Sequence, residues 1–408
     1  MKKAISIFSL LIAVAIHSPA QGLKDAYRDL WLTGVSVNQW EVAAATAPTS
    51  KHDVTGTVSD GQTANWTNVV NHFDCVVAEN CMKSEVIHPE EGIYDFTLAD
   101  EFVNKALASG LKVHGHALIW HSQCAKWFHT DKDGKLVSAE ELKRRMRDHI
   151  YTIVSHFKGR VTSWDVVNEG FEDDGFPRKS LFWQILGTDY MPLAFQYAHE
   201  ADPDAVLIYN DYSMYKRTKI EAVANFFRPL INAGLPIHAI GLQGHMILED
   251  GKKVLDQYDQ SLSVIESLGL KAQFSELDLS ALPNPYGFAG ANISDRFSYS
   301  PEKDPYKDGL TPEKEAEIAD FWLSFYKVML KHKGTIQRLA FWCTNDANSW
   351  RNDFPIKGRT DYATLFDRQN RPKPFIQDII SLVKPQCCKD KTTGKKAKKG
   401  SRIKAKKQ

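Results

Sequence analysis

Short apolar segments recur along this chain, each separated from the next by a helical pattern. They fall at Trp31–Val37, Asp74–Ala78, Lys112–Leu118, Val161–Val167, Ala205–Asn210, Ile237–Leu242, Lys271–Ser275 and Ile336–Trp342. Most are β-branched or otherwise apolar, as strands buried on both faces should be. The intervening stretches carry helix signals. In SAEELKRRMRDHIYTIVSHFKG, Ser138 followed by Glu141 predicts a capping box. Leu142, Met146, Ile150, Ile153, Val154 and Phe157 share one helical face, and Gly159 marks the stop. The same logic places Thr97, Asp100 and Gly110 at the start and end of another helix. Pro312 suits a first helical position, with Ile318, Phe321, Trp322, Phe325, Val328 and Met329 as the buried stripe. Eight strands alternating with helices predict the α/β class, a (β/α)8 TIM barrel rather than an open sheet. A single domain is expected over 21–384.

The two ends read differently. MKKAISIFSLLIAVAIHSPA has a basic start, a short apolar run and small residues before Gln21, so 1–20 is expected to be a secretory signal peptide. That predicts a secreted or periplasmic protein. The apolar run is too short for a membrane span and none follows it, so no span is expected. Ten basic residues and one acidic lie in 389–408, which splits the net +1 of the chain into a +9 tail and a −8 remainder. A block of like charge repels itself, so 385–408 is expected to stay disordered and solvated, and no nucleic-acid partner is expected. Cys75, Cys81, Cys124, Cys343, Cys387 and Cys388 are too few in 408 residues for a disulfide framework. Two stretches have no clear period: Ala43–Gly61 and the long connection Pro283–Leu310, which carries Tyr286, Phe288, Tyr299 and Tyr306. A connection as long as the second is usually functional or mobile.

A parallel barrel builds its site at the C-terminal ends of its strands. Polar and aromatic residues cluster there. Strand two ends in Glu79-Asn80 with Lys83 nearby, and strand three near His116, with Trp120 and His121 after it. Strand four ends in Asn168-Glu169, strand five in Asn210-Asp211-Tyr212, and strand six in Gln243 with His245. Strand seven carries Glu276 and Asp278, and strand eight leads to Trp342, Asp346 and Trp350. Two glutamates on different strands, several amides and several tryptophans suit a sugar polymer. Glycosidic hydrolysis ordinarily needs two carboxyl groups flanking the bond, amides match hydroxyls, and indole faces support sugar rings. Taken singly, a strand-end glutamate is ordinarily solvated, a tryptophan core, and an asparagine the start of a turn. Asp165, Asn210, Tyr212 and Asp346 fit such structural readings best. The convergence of the strand ends favours function for the rest.

The segment KVHGHALIWHSQ raises a competing chemistry. His114 and His116 alternate on a strand and so share a face, where imidazoles could bind zinc. In metal-dependent barrel hydrolases such a pair ends the first strand, and further ligands follow on later strands. Here it lies on the third, and strand six offers only His245. A metal site needs at least three well-placed ligands, so sugar binding by His116 and a core position for His114 are the preferred readings, with no metal.

Seven motifs, in order, resemble glycoside hydrolase family 10, the endo-1,4-β-xylanases: ENCMK at Glu79–Lys83, GHALIWHSQ at Gly115–Gln123, WDVVNE at Trp164–Glu169, IYNDY at Ile208–Tyr212, GLQGH at Gly241–His245, SELD at Ser275–Asp278 and FWCTNDANSWR at Phe341–Arg351. The resemblance spans most of Trp31–Lys384. It implies a barrel that hydrolyses xylan or xylo-oligosaccharide with retention, without cofactor, and most simply as a monomer. By motif match, Glu169 would be the general acid/base and Glu276 the nucleophile. Asn168 would bind the 2-hydroxyl of the sugar under attack. Glu79, Asn80, Lys83, His116, Trp120, Gln243, Trp342 and Trp350 would hold the non-reducing side, with Tyr212 also at the substrate. His245 would orient Glu276, Asp278 would support His245, and His121 would be a supporting residue. Retention requires the two carboxyls about 5–5.5 Å apart. The sequence departs from the common pattern at Ser84 and Ser213, which bears on the details of the sugar pocket. Two other readings remain open at this point: a non-catalytic carbohydrate-binding barrel, and a glycosidase acting on another β-1,4-glycan.

Overall fold

A computed structural model describes residues 22–42, 60–285 and 296–383. The expected signal peptide and basic tail, Cys387, Cys388, Tyr286, Phe288 and nearly all of Ala43–Gly61 lie outside the described residues. Eight parallel strands form the centre: β1 (Leu32–Val37), β2 (Cys75–Ala78), β3 (Lys112–Gly115), β4 (Ser163–Asn168), β5 (Val206–Asp211), β6 (Ala239–Leu242), β7 (Lys271–Ser280) and β8 (Ile336–Phe341). Each pairs with the next, and β8 pairs with β1, Leu32 lying opposite Arg338, so the sheet closes. Two short strands extend its rim, Ile119–Trp120 beside β4 and His245–Ile247 beside β7. No described helix is long and apolar enough to cross a membrane.

The main apolar core lies between strands and helices. Phe274 of β7 packs on Tyr258 and Phe325, and Phe341 of β8 on Phe73 and Trp322. Fully burying one such aromatic contributes roughly 1.5–3 kcal/mol. The predicted helical stripes are this layer: Leu142, Met146, Ile150, Ile153, Val154 and Phe157 are buried, as are Ile318, Phe321, Trp322, Phe325, Val328 and Met329. Neighbouring strand positions alternate inward, and there the barrel holds polar groups such as His114, Ser163, Asp165, Asn210 and Gln273. Gly115 is needed at one of the outer contacts, because a Cβ there would stand 2.2 Å from the Trp164 ring.

Several boundaries differ from expectation. β3 stops at Gly115 rather than Leu118, and β7 runs on to Ser280, where it pairs with the His245–Ile247 extension. Ser138 caps its helix by accepting from Glu141 N, but the Glu141 carboxylate turns to Arg144 and Arg145, so only half of the capping box forms. Thr97 does not cap its helix. Asp95 accepts from Thr97 N, while Asp100 is drawn to His156 and Arg160. Thr311 caps the last long helix with Pro312 in its first turn. Cys75, Cys81, Cys124 and Cys343 are free thiols.

Candidate active site

The strand ends surround a cleft of about 690 Å³. Every residue expected to catalyse or to touch substrate borders it, from Glu79 on β2 round to Trp342 and Trp350 after β8. Asp278 and His121, expected to support, are not part of this lining, and Asp278 is fully buried. Asn284 and Arg296, from the described parts of Pro283–Leu310, add to the wall.

Glu169 follows β4 directly and adopts a left-handed backbone, φ 59°. Such a conformation is unusual for a side chain with a Cβ, so neighbouring contacts must hold it. Its Oε1 accepts from Gln243 Nε2 at 2.9 Å and its Oε2 from Trp120 Nε1 at 2.9 Å. The carboxyl is 5% exposed. Burial raises its pKa above the ordinary carboxylate value, and the negative charge of Asp211 adds to this, while the two donors act against it.

Glu276 stands opposite, on β7, and is also 5% exposed. Oε1 accepts from Asn210 Nδ2 at 2.9 Å, and Oε2 lies 3.2 Å from His245 Nε2. The other imidazole nitrogen is 2.9 Å from Asp278 Oδ2. Asp278 also accepts from Trp350 Nε1 at 2.8 Å and from the Arg351 guanidinium at 2.8 Å. Burial works against charge on His245, but Asp278 and Glu276 outweigh it and raise the imidazole to about 9. Burial likewise opposes ionisation of Asp278, and Arg351 and His245 reverse that, holding it below the usual range. Gly244, φ 80°, makes the turn that sends Gln243 to Glu169 and His245 to Glu276.

The β2 and β3 side forms a separate wall. Lys83 Nζ donates to Asn80 Oδ1 at 3.0 Å and to Gln123 Oε1 at 2.8 Å, and lies 5.0 Å from the Trp120 ring centre. Asn80 Nδ2 donates to Glu79 Oε1 at 3.2 Å. Burial pushes Glu79 up to about 7, although Lys83 opposes it. Tyr212 closes the other end, its hydroxyl accepting from Arg178 Nη2 at 2.7 Å.

The histidines of KVHGHALIWHSQ meet a carboxylate. His114 Nε2 is 3.0 Å and His116 Nδ1 2.8 Å from Asp165 Oδ2, and His114 Nδ1 lies 2.7 Å from Ser163 Oγ. His116 faces the cleft edge-on to Trp342, with ring centres 5.5 Å apart. His121 Nε2 is 4.0 Å from Glu169 Oε2. Among the described residues no group of three or more His, Cys, Asp or Glu is arranged to hold a metal. Asp165 braces its neighbours as expected, and Asp346 is a buried structural anchor for Thr364 and Lys373.

Asn210 departs from its expected role as a turn residue. It joins the two halves of the site, contacting the Asn168 amide and Glu276 at 2.9 Å each, with Ser275 Oγ donating to its Oδ1 at 2.6 Å. Gln123, Arg178, Asp211 and Arg351 are further residues that strand-end reading did not assign. Gln123, Asp211 and Arg351 lay inside quoted motifs, and only spatial contact separates their roles from those of neighbouring positions.

Comparison with known proteins gives one consistent picture. The model for glycosyl hydrolase family 10 matches residues 41–382. "Endo-1,4-beta-xylanase A" of Xylanibacter ruminicola is 40% identical over 372 residues, covering 91% of this chain and 95% of the relative. An endoxylanase structure of the same family, retrieved from sugarcane soil metagenome, superposes with a TM-score of 0.81 at 36% identity, covering 88% of this chain and all of that one. A mutant structure in complex with xylotriose superposes at 0.75 with 29% identity, covering 88% of this chain and 99% of its own.

Proposed function

The chain belongs to glycosyl hydrolase family 10, a retaining glycoside hydrolase family, and from that premise we propose that it cleaves internal β-1,4 bonds of xylan with Glu169 as acid/base and Glu276 as nucleophile. The observation that carries the assignment is the contrast in partners. Glu169, raised by burial and by Asp211, is suited to hold a proton. Glu276 contacts a histidine that carries charge at neutral pH, which favours a carboxylate nucleophile. In the first step Glu276 attacks the anomeric carbon and forms a glycosyl ester, while Glu169 gives its proton to the departing glycosidic oxygen. In the second, Glu169 takes a proton from water, whose oxygen attacks the same carbon, and Glu276 leaves as carboxylate. Asn210 spans from Asn168 to Glu276, so the amide suited to the 2-hydroxyl is held in register with the nucleophile. The xylotriose complex of a structural neighbour supports a xylo-oligosaccharide in this cleft.

Release of reducing ends from soluble xylan, with cellulose as control and with chelator present, tests the reading. Xylan cleavage that ignores chelator is expected. Loss of cleavage with chelator, or cleavage retained in Glu276→Ala, would overturn it. Export directed by residues 1–20, and action as a monomer, belong to the same proposal. N-terminal sequencing of protein recovered outside the cytoplasm and sedimentation of the purified enzyme check them.

A further inference from the structure

Behind Glu169 lies a buried charge that does not itself line the cleft. Asp211, the last residue of β5, is 0% exposed. Its Oδ2 accepts from Phe171 N at 3.3 Å and from the Tyr209 hydroxyl. The same hydroxyl accepts from Gly170 N at 3.0 Å. These two amides directly follow Glu169, the residue with the left-handed backbone. Glu169 N donates to Asn210 O at 2.8 Å, and Arg178 Nε donates to Glu169 O at 2.8 Å, so the turn is held on both sides. Lys219, also 0% exposed, donates to Asp211 Oδ1 at 2.8 Å. The cation therefore sits on Oδ1, while Oδ2, the oxygen bonded into the turn, meets only neutral donors.

We propose that Asp211, paired with Lys219, is the positioning residue for Glu169: it pins the strained turn that aims the carboxyl and sets a negative charge behind it. The inference rests on Glu169 being the acid/base. Other groups also face Glu169. Glu276 adds negative charge, Lys83 and Arg178 add positive charge, and His121 is kept uncharged at neutral pH by burial and then by Arg178, which push it down to about 3. Around Asp211 itself stand Lys219, Asp173, Arg178 and the phenols of Tyr190, Tyr209 and Tyr212. Asp211 is the negative charge tied by hydrogen bonds to the backbone that carries the acid, as Arg178 is the positive one, so its removal alters aim and proton affinity together.

Asp211→Asn keeps shape and removes charge. The test is the pH profile of kcat/KM on xylan and on an aryl xylobioside whose phenolate leaves without protonation. The basic limb on xylan should move down by about one pH unit. At pH 7, xylan cleavage should fall at least ten-fold while the aryl substrate loses much less. An unmoved basic limb, or equal losses on both substrates, would overturn the proposal. Tyr209→Phe supplies a second variant, retaining the charge and removing the bridge to Gly170 N. It should lower kcat on xylan several-fold with the basic limb in place, and unchanged kcat would remove the pinning role even if Asp211→Asn fails to fold. Glu169→Gln in parallel separates the two readings: if it cleaves xylan like the parent, the acid/base assignment fails, whatever Asp211 does.

Discussion

Glu169 and Glu276 face one another across a cleft and are buried to the same depth, yet they live in different chemistry. Glu169 meets two neutral donors, Trp120 and Gln243, with Asp211 behind it. Glu276 meets an amide and an imidazole that Asp278 keeps charged. Equal burial would penalise both ions equally, so depth cannot assign acid and nucleophile. Partners can, because a neighbouring charge favours one protonation state and a neutral donor only modulates it.

The contrast can be broken at either end. Glu276→Ala removes the nucleophile and should lower xylan turnover about 10⁴-fold or more, with binding of xylotriose retained in calorimetry. His245→Asn removes the cation beside Glu276 and leaves Asp278 with Trp350 and Arg351. A loss of roughly 10²-fold in kcat is expected, with a smaller change in KM.

His245 also links the site to stability. Its folded pKa, about 9, lies above the unfolded value near 6.5, so folding stability from this proton is fully present below pH 6.5. It is lost as pH rises through 9, because the unfolded chain has already released the proton there. About 2–3 kcal/mol should disappear over that window in urea melts. His245→Asn should flatten the decline, and a parent curve that is flat from pH 6.5 to 9 would contradict the charge on His245.

The smallest effect is expected on the other carboxyl. Trp120→Phe deletes a donor that favours ionised Glu169. The basic limb of the pH–rate profile should therefore move up by roughly half a unit, the reverse of the shift expected for Asp211→Asn. Movement in the same direction for both would undo the comparison.

Much of this architecture was legible from one dimension. Buried strands read as apolar runs, and the residues ending them converge because parallel strands all point their C-termini one way. The seven motifs carried the two glutamates and the surrounding wall. What local pattern could not supply was long-range pairing. Thr97 looked like a cap, but Asp95 was the better-placed acceptor and Asp100 was taken by His156 of the next helix and Arg160 of the turn after it. Asn210 looked like a turn residue because its partners, Asn168 and Glu276, are 42 and 66 positions away. Asp211 ended a strand inside a quoted motif, but its role could not be assigned there, since it runs through the backbone of residues 170 and 171.

The central claim is that Glu169 carries the proton in the resting enzyme. The direct measurement is a carboxyl ¹³C NMR titration of glutamate-labelled enzyme, repeated with Glu169→Gln. The account predicts a side-chain carboxyl that remains protonated above the ordinary glutamate range and whose signal is absent from the Glu169→Gln spectrum. A Glu169 signal that ionises in the ordinary range would contradict it; the raised titration of Glu79 is expected in both spectra.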